Sequence, residues 1–163
     1  MNATLKPQII DLILADLQQA YQSALHAADQ AHSAATDDQS VAETQYDTLA
    51  IEAAYLAHGQ SQRVAECLAD INAYEQLKAA LPETNDEIVL GCLVHILDEN
   101  DNEKWIFFGP TAGGIKVSLE KHEVVVVTPT SPLGEALLGL TVEEDAEVHL
   151  GGKIVFYEVE AIY

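Results

Sequence analysis

The sequence predicts an antiparallel pair of long helices followed by a small α+β domain, in which one helix lies on an antiparallel sheet. Three observations carry that reading. Residues 10 to 35 keep a seven-residue apolar rhythm without a break. From Glu87 onward the rhythm shortens to alternation, with β-branched and aromatic enrichment. The change falls at Leu81-Pro82, where a proline disfavours the helical conformation of the residue ahead of it. A chain of 163 residues can hold one compact domain or two small ones, and the change of pattern sets two: 1–81 and 86–163, joined by Pro82 to Asn85.

Helix one is expected to open after Thr4 or at Pro7, since proline is tolerated in a first turn, and to run to about Ala35. Its seam is Ile10, Leu14, Leu17, Tyr21, Ala24, Ala28, Ala31 and Ala35, in alternating steps of four and three. Residues 36–40 (TDDQS) form the turn at the tip. Ser40 stands three residues before Glu43, the capping-box arrangement, so helix two is placed from Ser40. Its stripe takes Ala42, Tyr46, Leu49, Ala53 and Leu56, then moves by one position to Ala57, Val64, Leu68 and Ile71. Gly59 sits where the frame changes. One glycine costs a helix only about 1 kcal/mol, so the helix continues through it and ends before Leu81. A short connection between matched stripes makes the helices antiparallel neighbours, a hairpin of the coiled-coil type.

In the second half, strands are expected at 87–97, 103–109, 115–118, 123–128, 145–150 and 153–162. DENDNE (98–103) reads as a solvated turn, GPTAGG (109–114) as a hairpin turn, and the Gly151-Gly152 pair as a tight two-residue hairpin. SPLGEALLG reads as one short helix, with Ser131 as N-cap, Pro132 at the first helical position and Gly139 past its end.

Composition narrows the function. The formal charge of −20 comes from 27 acids against 7 scattered bases, so the clustered lysine and arginine that autonomous DNA binding requires is missing. Such acidity suits a protein steered toward a basic partner surface. No stretch approaches the ~20 apolar residues of a membrane span, and MNATLKPQII lacks the basic flank and apolar run of a secretion signal, so a cytoplasmic location is expected. Cys67 and Cys92 read as small buried apolar residues. The six histidines show no zinc-site spacing.

VVVVTPTSPLGEALLGLTVEEDAEVHLGGKIVFYEVEAIY carries a Ser-Pro, Ala-Leu and Gly pattern, then an acidic turn, a Gly-Gly hairpin and a closing strand. With GQSQRVAECLADINAYEQL on helix two, where Gly59, Arg63, Ile71 and Leu77 take matching positions, the chain resembles the Gre family of bacterial transcript cleavage factors. The resemblance implies that the second domain is FKBP-like and docks on bacterial RNA polymerase. It further implies that Pro129, Ser131 and Pro132 form the contacting loop, and that the helical hairpin enters the channel leading to the active centre. The polymerase then owns the catalytic centre, and the chain is not itself an enzyme.

Family members that stimulate cleavage carry an Asp, two residues and then a Glu at the tip, with an aromatic about one turn later. Here Asp38 matches the first, Val41 stands in the glutamate's place, Glu43 is displaced by two, and Tyr46 follows it by three. Asp38 and Glu43, with Asp37 and Asp47 as alternates, are the candidate catalytic and metal-ligating carboxylates. They would contribute to a shared Mg²⁺ only within a polymerase complex, no cofactor being expected on the chain alone. Acids in a helix's first turn also favour its dipole, and Glu43 has a capping role besides. Cleavage and obstruction of the channel both stay open at this point, and the scarcity of bases on the hairpin argues against a grip on nascent RNA. Two other classes are a scaffold or chaperone-like module, and a small prolyl isomerase using Trp105, Phe107, Phe108 and Tyr157 as an aromatic pocket.

Overall fold

The computed structural model describes residues 5–36, 48–82 and 85–163. It divides into two units, Met1–Leu14 with Ala73–Tyr163, and Ala15–Asn72. Helix α1 spans Lys6–Thr36 and α2 spans Thr48–Ala79. Pro7 thus falls in a first turn, where its missing N–H costs nothing. Helix α2 passes through Gly59 and stops just ahead of Leu81-Pro82. The seam of α1 is as the rhythm requires: Ile10, Leu17, Ala24 and Ala31 are buried, and Leu14, Tyr21 and Ala28 are half-buried.

On α2 the expected stripe needs correction. Leu56 and Leu68 are 56% and 44% exposed, while Cys67, Ile71 and Tyr74 are buried and Val64 is half-buried. Steps of three and four counted back from Tyr74 select Ile71, Cys67 and Val64, so geometry prefers a small thiol where hydrophobicity alone favours the neighbouring leucine. Cys67 and Cys92 are both free and buried. The start of helix two at Ser40, its capping by Glu43, and Ala42 and Tyr46 lie outside the described residues.

The beginning of α1 lies beside the end of α2, which fixes their antiparallel sense. Lys78 pairs with the Asp11 carboxylate, and the Lys6 ammonium donates to the carbonyl of Pro82. Lys6 is only 1% exposed. Burial lowers its pKa from the usual lysine value, against a smaller opposing influence of Cys92.

The remaining elements are β1 (Leu93–Asp98), β2 (Glu103–Phe108), β3 (Lys116–Leu119), β4 (His122–Val127), α3 (Pro132–Leu137), β5 (Asp145–Leu150) and β6 (Lys153–Ile162). The sheet order is β3-β4-β2-β1-β6-β5. Strands β2 and β4 run parallel, so the sheet is mixed and the all-antiparallel expectation is corrected. The reason is the route taken after β2. Residues 109–114 do not close a hairpin; they carry the chain across to β3, which pairs with β4 alone. The first strand is also shorter than expected. Gly91 turns the chain in the left-handed region at φ 89°, and between residues 87 and 90 only Glu87 bridges, to Thr141.

The turns follow their chemistry. Gly151 and Gly152 have φ of 56° and 85°, as a type I′ connection requires, and they set Leu150 opposite Lys153. Between β1 and β2 the Asp98 carboxylate accepts from the Asn102 side-chain amide, from the Asn102 backbone N–H and from that of Asn100, which together hold its pKa below the usual carboxylate value.

One face of the sheet builds the main core, from Val94, Ile96, Ile106, Phe108, Val148 and Val159, with Leu137 of α3 and Ile88. Residues of opposite parity, Leu93, Phe107, Val124 and Val126, are buried too. Against that second face Tyr74 lies over Gly109, where a Cβ would fall 2.3 Å from the tyrosine oxygen. The Tyr74 hydroxyl donates to the carbonyl of Thr111 at 2.9 Å.

Candidate functional site

The segment between β4 and α3 holds the residues singled out as a contact loop, and hydrogen bonds to one carbonyl shape it. The Thr128 carbonyl, just past β4, accepts from the Ser131 N–H at 3.0 Å and from the Ser131 hydroxyl at 2.8 Å. The same hydroxyl oxygen accepts from the Gly134 N–H at 3.1 Å, the N-cap bond expected from the sequence. Pro132 follows at the first helical position, its ring pre-set for the turn. Ser131 therefore closes a tight turn and starts a helix with a single side chain. Replacing it with alanine is expected to cost about 1 kcal/mol, read from urea unfolding followed by fluorescence of Trp105, the only tryptophan in the chain.

Gly134 allows this closure. A Cβ there would stand 1.9 Å from the Thr128 carbonyl oxygen. Beside the turn an open cleft of about 510 Å³ is lined by Gly113, Gly114, the end of β4 and residues 130–133. Its walls are chiefly valine, proline and leucine, with Thr128, Thr130 and Ser131 at the polar side. Ser131 and Pro132 line it, and Pro132 is exposed; Pro129 is half-buried and stands outside the lining. The contribution of Gly113 and Gly114 was not legible in the sequence, where GPTAGG reads as a separate turn. The crossover brings the loop here: the Gly114 N–H donates to the Val126 carbonyl at 2.8 Å, and a Cβ on Gly113 would touch the Thr128 side chain.

Asp37, Asp38, Glu43 and Asp47 lie outside the described residues. Among the described residues no group of three or more His, Cys, Asp or Glu side chains is arranged to hold a metal ion, and no helix is long and apolar enough to cross a membrane. The histidines have other company: His95 stacks on Trp105 with ring centroids 4.4 Å apart, His122 meets the same indole edge-on, and His149 lies 3.0 Å from the Glu147 carboxylate.

The four aromatic residues of the isomerase reading do not converge. Phe108 and Tyr157 belong to the core under α3, whereas Trp105 and Phe107 alternate to the other face, and all four are buried. They act as packing.

Residues 83–163 match the family model described as transcription elongation factor GreA/GreB, C-terminal. Solved structures similar to the chain include GreA factor homolog 1 (Gfh1) of Thermus thermophilus, 18% identical, covering 92% of this chain and 94% of that one, with a TM-score of 0.36. Gfh1 of Thermus aquaticus is 19% identical, with coverage of 91% and 92% and a TM-score of 0.38. No curated protein matches the chain.

Proposed function

The chain belongs to the GreA/GreB family of transcription elongation factors through residues 83–163, and from that premise we propose that it docks on bacterial RNA polymerase and presents the acidic segment between its two long helices to the channel that leads to the active centre. The observation that carries the docking half is the turn at Thr128–Pro132. Ser131 and Gly134 lock it, and an apolar cleft of about 510 Å³ lies beside it, a concave seat for a projecting element of a partner. Pro129, Ser131 and Pro132 are the proposed contact residues. A pre-formed turn loses little entropy on binding.

The proposal for the other end rests on chemistry. Asp38 and Glu43, with Asp37 and Asp47 nearby in sequence, are hard oxygen donors suited to Mg²⁺ in a site shared with the polymerase, where the ion would supply activation of water for RNA hydrolysis. The chain's own part is to bring those carboxylates and hold them. A second reading, obstruction of the channel, is favoured by Val41 in place of the family's glutamate and by Arg63 being the only Lys or Arg between residues 15 and 72, which leaves little to grip extruded RNA.

Cleavage of a backtracked transcript by purified polymerase tests both. Under the first reading the chain accelerates cleavage, and the double substitution Asp38→Ala, Glu43→Ala removes the acceleration while binding persists. A chain that binds and slows both cleavage and elongation establishes obstruction instead. Absence of polymerase from a pull-down overturns both, and leaves the scaffold or chaperone-like alternative.

A further inference from the structure

We propose that the face of the β5–β6 hairpin turned away from the core is a second docking surface, fitted to a lysine- and arginine-rich protein segment that carries apolar side chains. The register places six residues on that face: Asp145, Glu147 and His149 of β5, opposite Glu158, Phe156 and Ile154 of β6. Their neighbours in sequence, Ala146, Val148 and Tyr157, point into the core and are buried. The outward six are all exposed, including Ile154 at 50% and Phe156 at 40%.

Two features distinguish this strip from ordinary surface. Large apolar side chains stand side by side on β6, an inner strand of the sheet between β1 and β5. Single exposed apolar residues need no explanation; here Ile154 and Phe156 adjoin on one strand face with carboxylates beside them. The full charges of the rim, moreover, are carboxylates, Asp145, Glu147 and Glu158, with His149 3.0 Å from Glu147. Asp145 and Glu158 sit directly across from each other, a like-charge pair that weakens a sheet, and neither forms an ion pair among the described residues. A cationic partner would relieve that repulsion while its apolar side chains cover Phe156 and Ile154. The same acidity disfavours nucleic acid, and a second copy of this chain would set acid against acid.

The inference rests on the polymerase reading for the identity of the partner, and the test separates the two. The full chain is titrated against purified RNA polymerase at two salt concentrations, with Asp145→Lys and Phe156→Ser beside wild type. Asp145→Lys should weaken binding about tenfold and flatten its salt dependence, yet leave the thermal midpoint equal or higher, because it converts the cross-strand pair with Glu158 to opposite charges. Phe156→Ser should weaken binding by a similar factor with the Trp105 emission of the folded chain retained. A purely structural role would make stability fall along with binding. Undiminished binding in both variants overturns this surface alone, whereas failure of the wild type to bind removes the polymerase reading and this surface together. Self-association of the wild type that Phe156→Ser abolishes would give the face to a second copy and overturn the proposal.

Discussion

Gly134→Ala is expected to destabilise the sheet-bearing unit although it places a better helix former inside a helix. Alanine in a helix interior is favoured over glycine by about 1 kcal/mol. At this position the added carbon would lie 1.9 Å from the Thr128 carbonyl oxygen and 2.7 Å from its carbon, both backbone atoms that cannot swing aside. Relief requires α3 to lift from the end of β4, and overpacking of that kind costs about 3 kcal/mol. The clash wins, with a net loss of about 2 kcal/mol. Because the displaced atoms are those that close the Ser131 turn, the docking proposed above requires polymerase affinity to fall with stability. Urea unfolding followed by Trp105 emission measures the first and a binding titration the second; a variant as stable as wild type would show that the turn yields without cost.

Tyr74→Ala is expected to cost more than the clash at Gly134, about 3 to 5 kcal/mol. The side chain is fully buried against Gly109, and its hydroxyl donates to the Thr111 carbonyl. Glycine at 109 is what lets the ring come so close, so the space left by alanine cannot be filled from that side. Tyr74→Phe separates the contributions. It keeps the ring and removes the hydrogen bond to the Thr111 carbonyl, so it should cost only about 1 kcal/mol. Equal losses for the two variants, measured by thermal unfolding with circular dichroism, would mean that the bond rather than the packing holds the last turns of α2 to the loop after β2.

Much of this architecture was legible because it is local. The α1 seam obeys one period from Ile10 to Ala31, and each of its positions there is buried or half-buried. Ser131, Pro132 and the Gly151-Gly152 turn announced themselves because each needs a particular residue type within a few positions of chain. The errors share a different origin. Leu68 is more apolar than Cys67, yet the helix turns Cys67 inward, a fact about phase that composition at two adjacent positions does not carry. The crossover that makes β4 parallel to β2 joins strands separated by a third, and it brings Gly113 and Gly114 to the cleft from a loop that looked like a turn of its own.

The sequence by itself determined which segments form helices and strands, how the Ser131 and Gly151-Gly152 turns are made and which signs of charge the surface bears, since periodicity, capping and turn conformation act over a few residues. Tertiary structure alone decided that Lys6 is buried under the carbonyl of Pro82, that Tyr74 closes on Gly109, and that the carbonyl of Thr128 leaves room at Gly134 for hydrogen and nothing larger. The first two are meetings between segments far apart in the chain, and the third depends on how α3 settles against the end of β4. Their energies depend on distances that no local pattern encodes, and they come into being only when the elements close on one another.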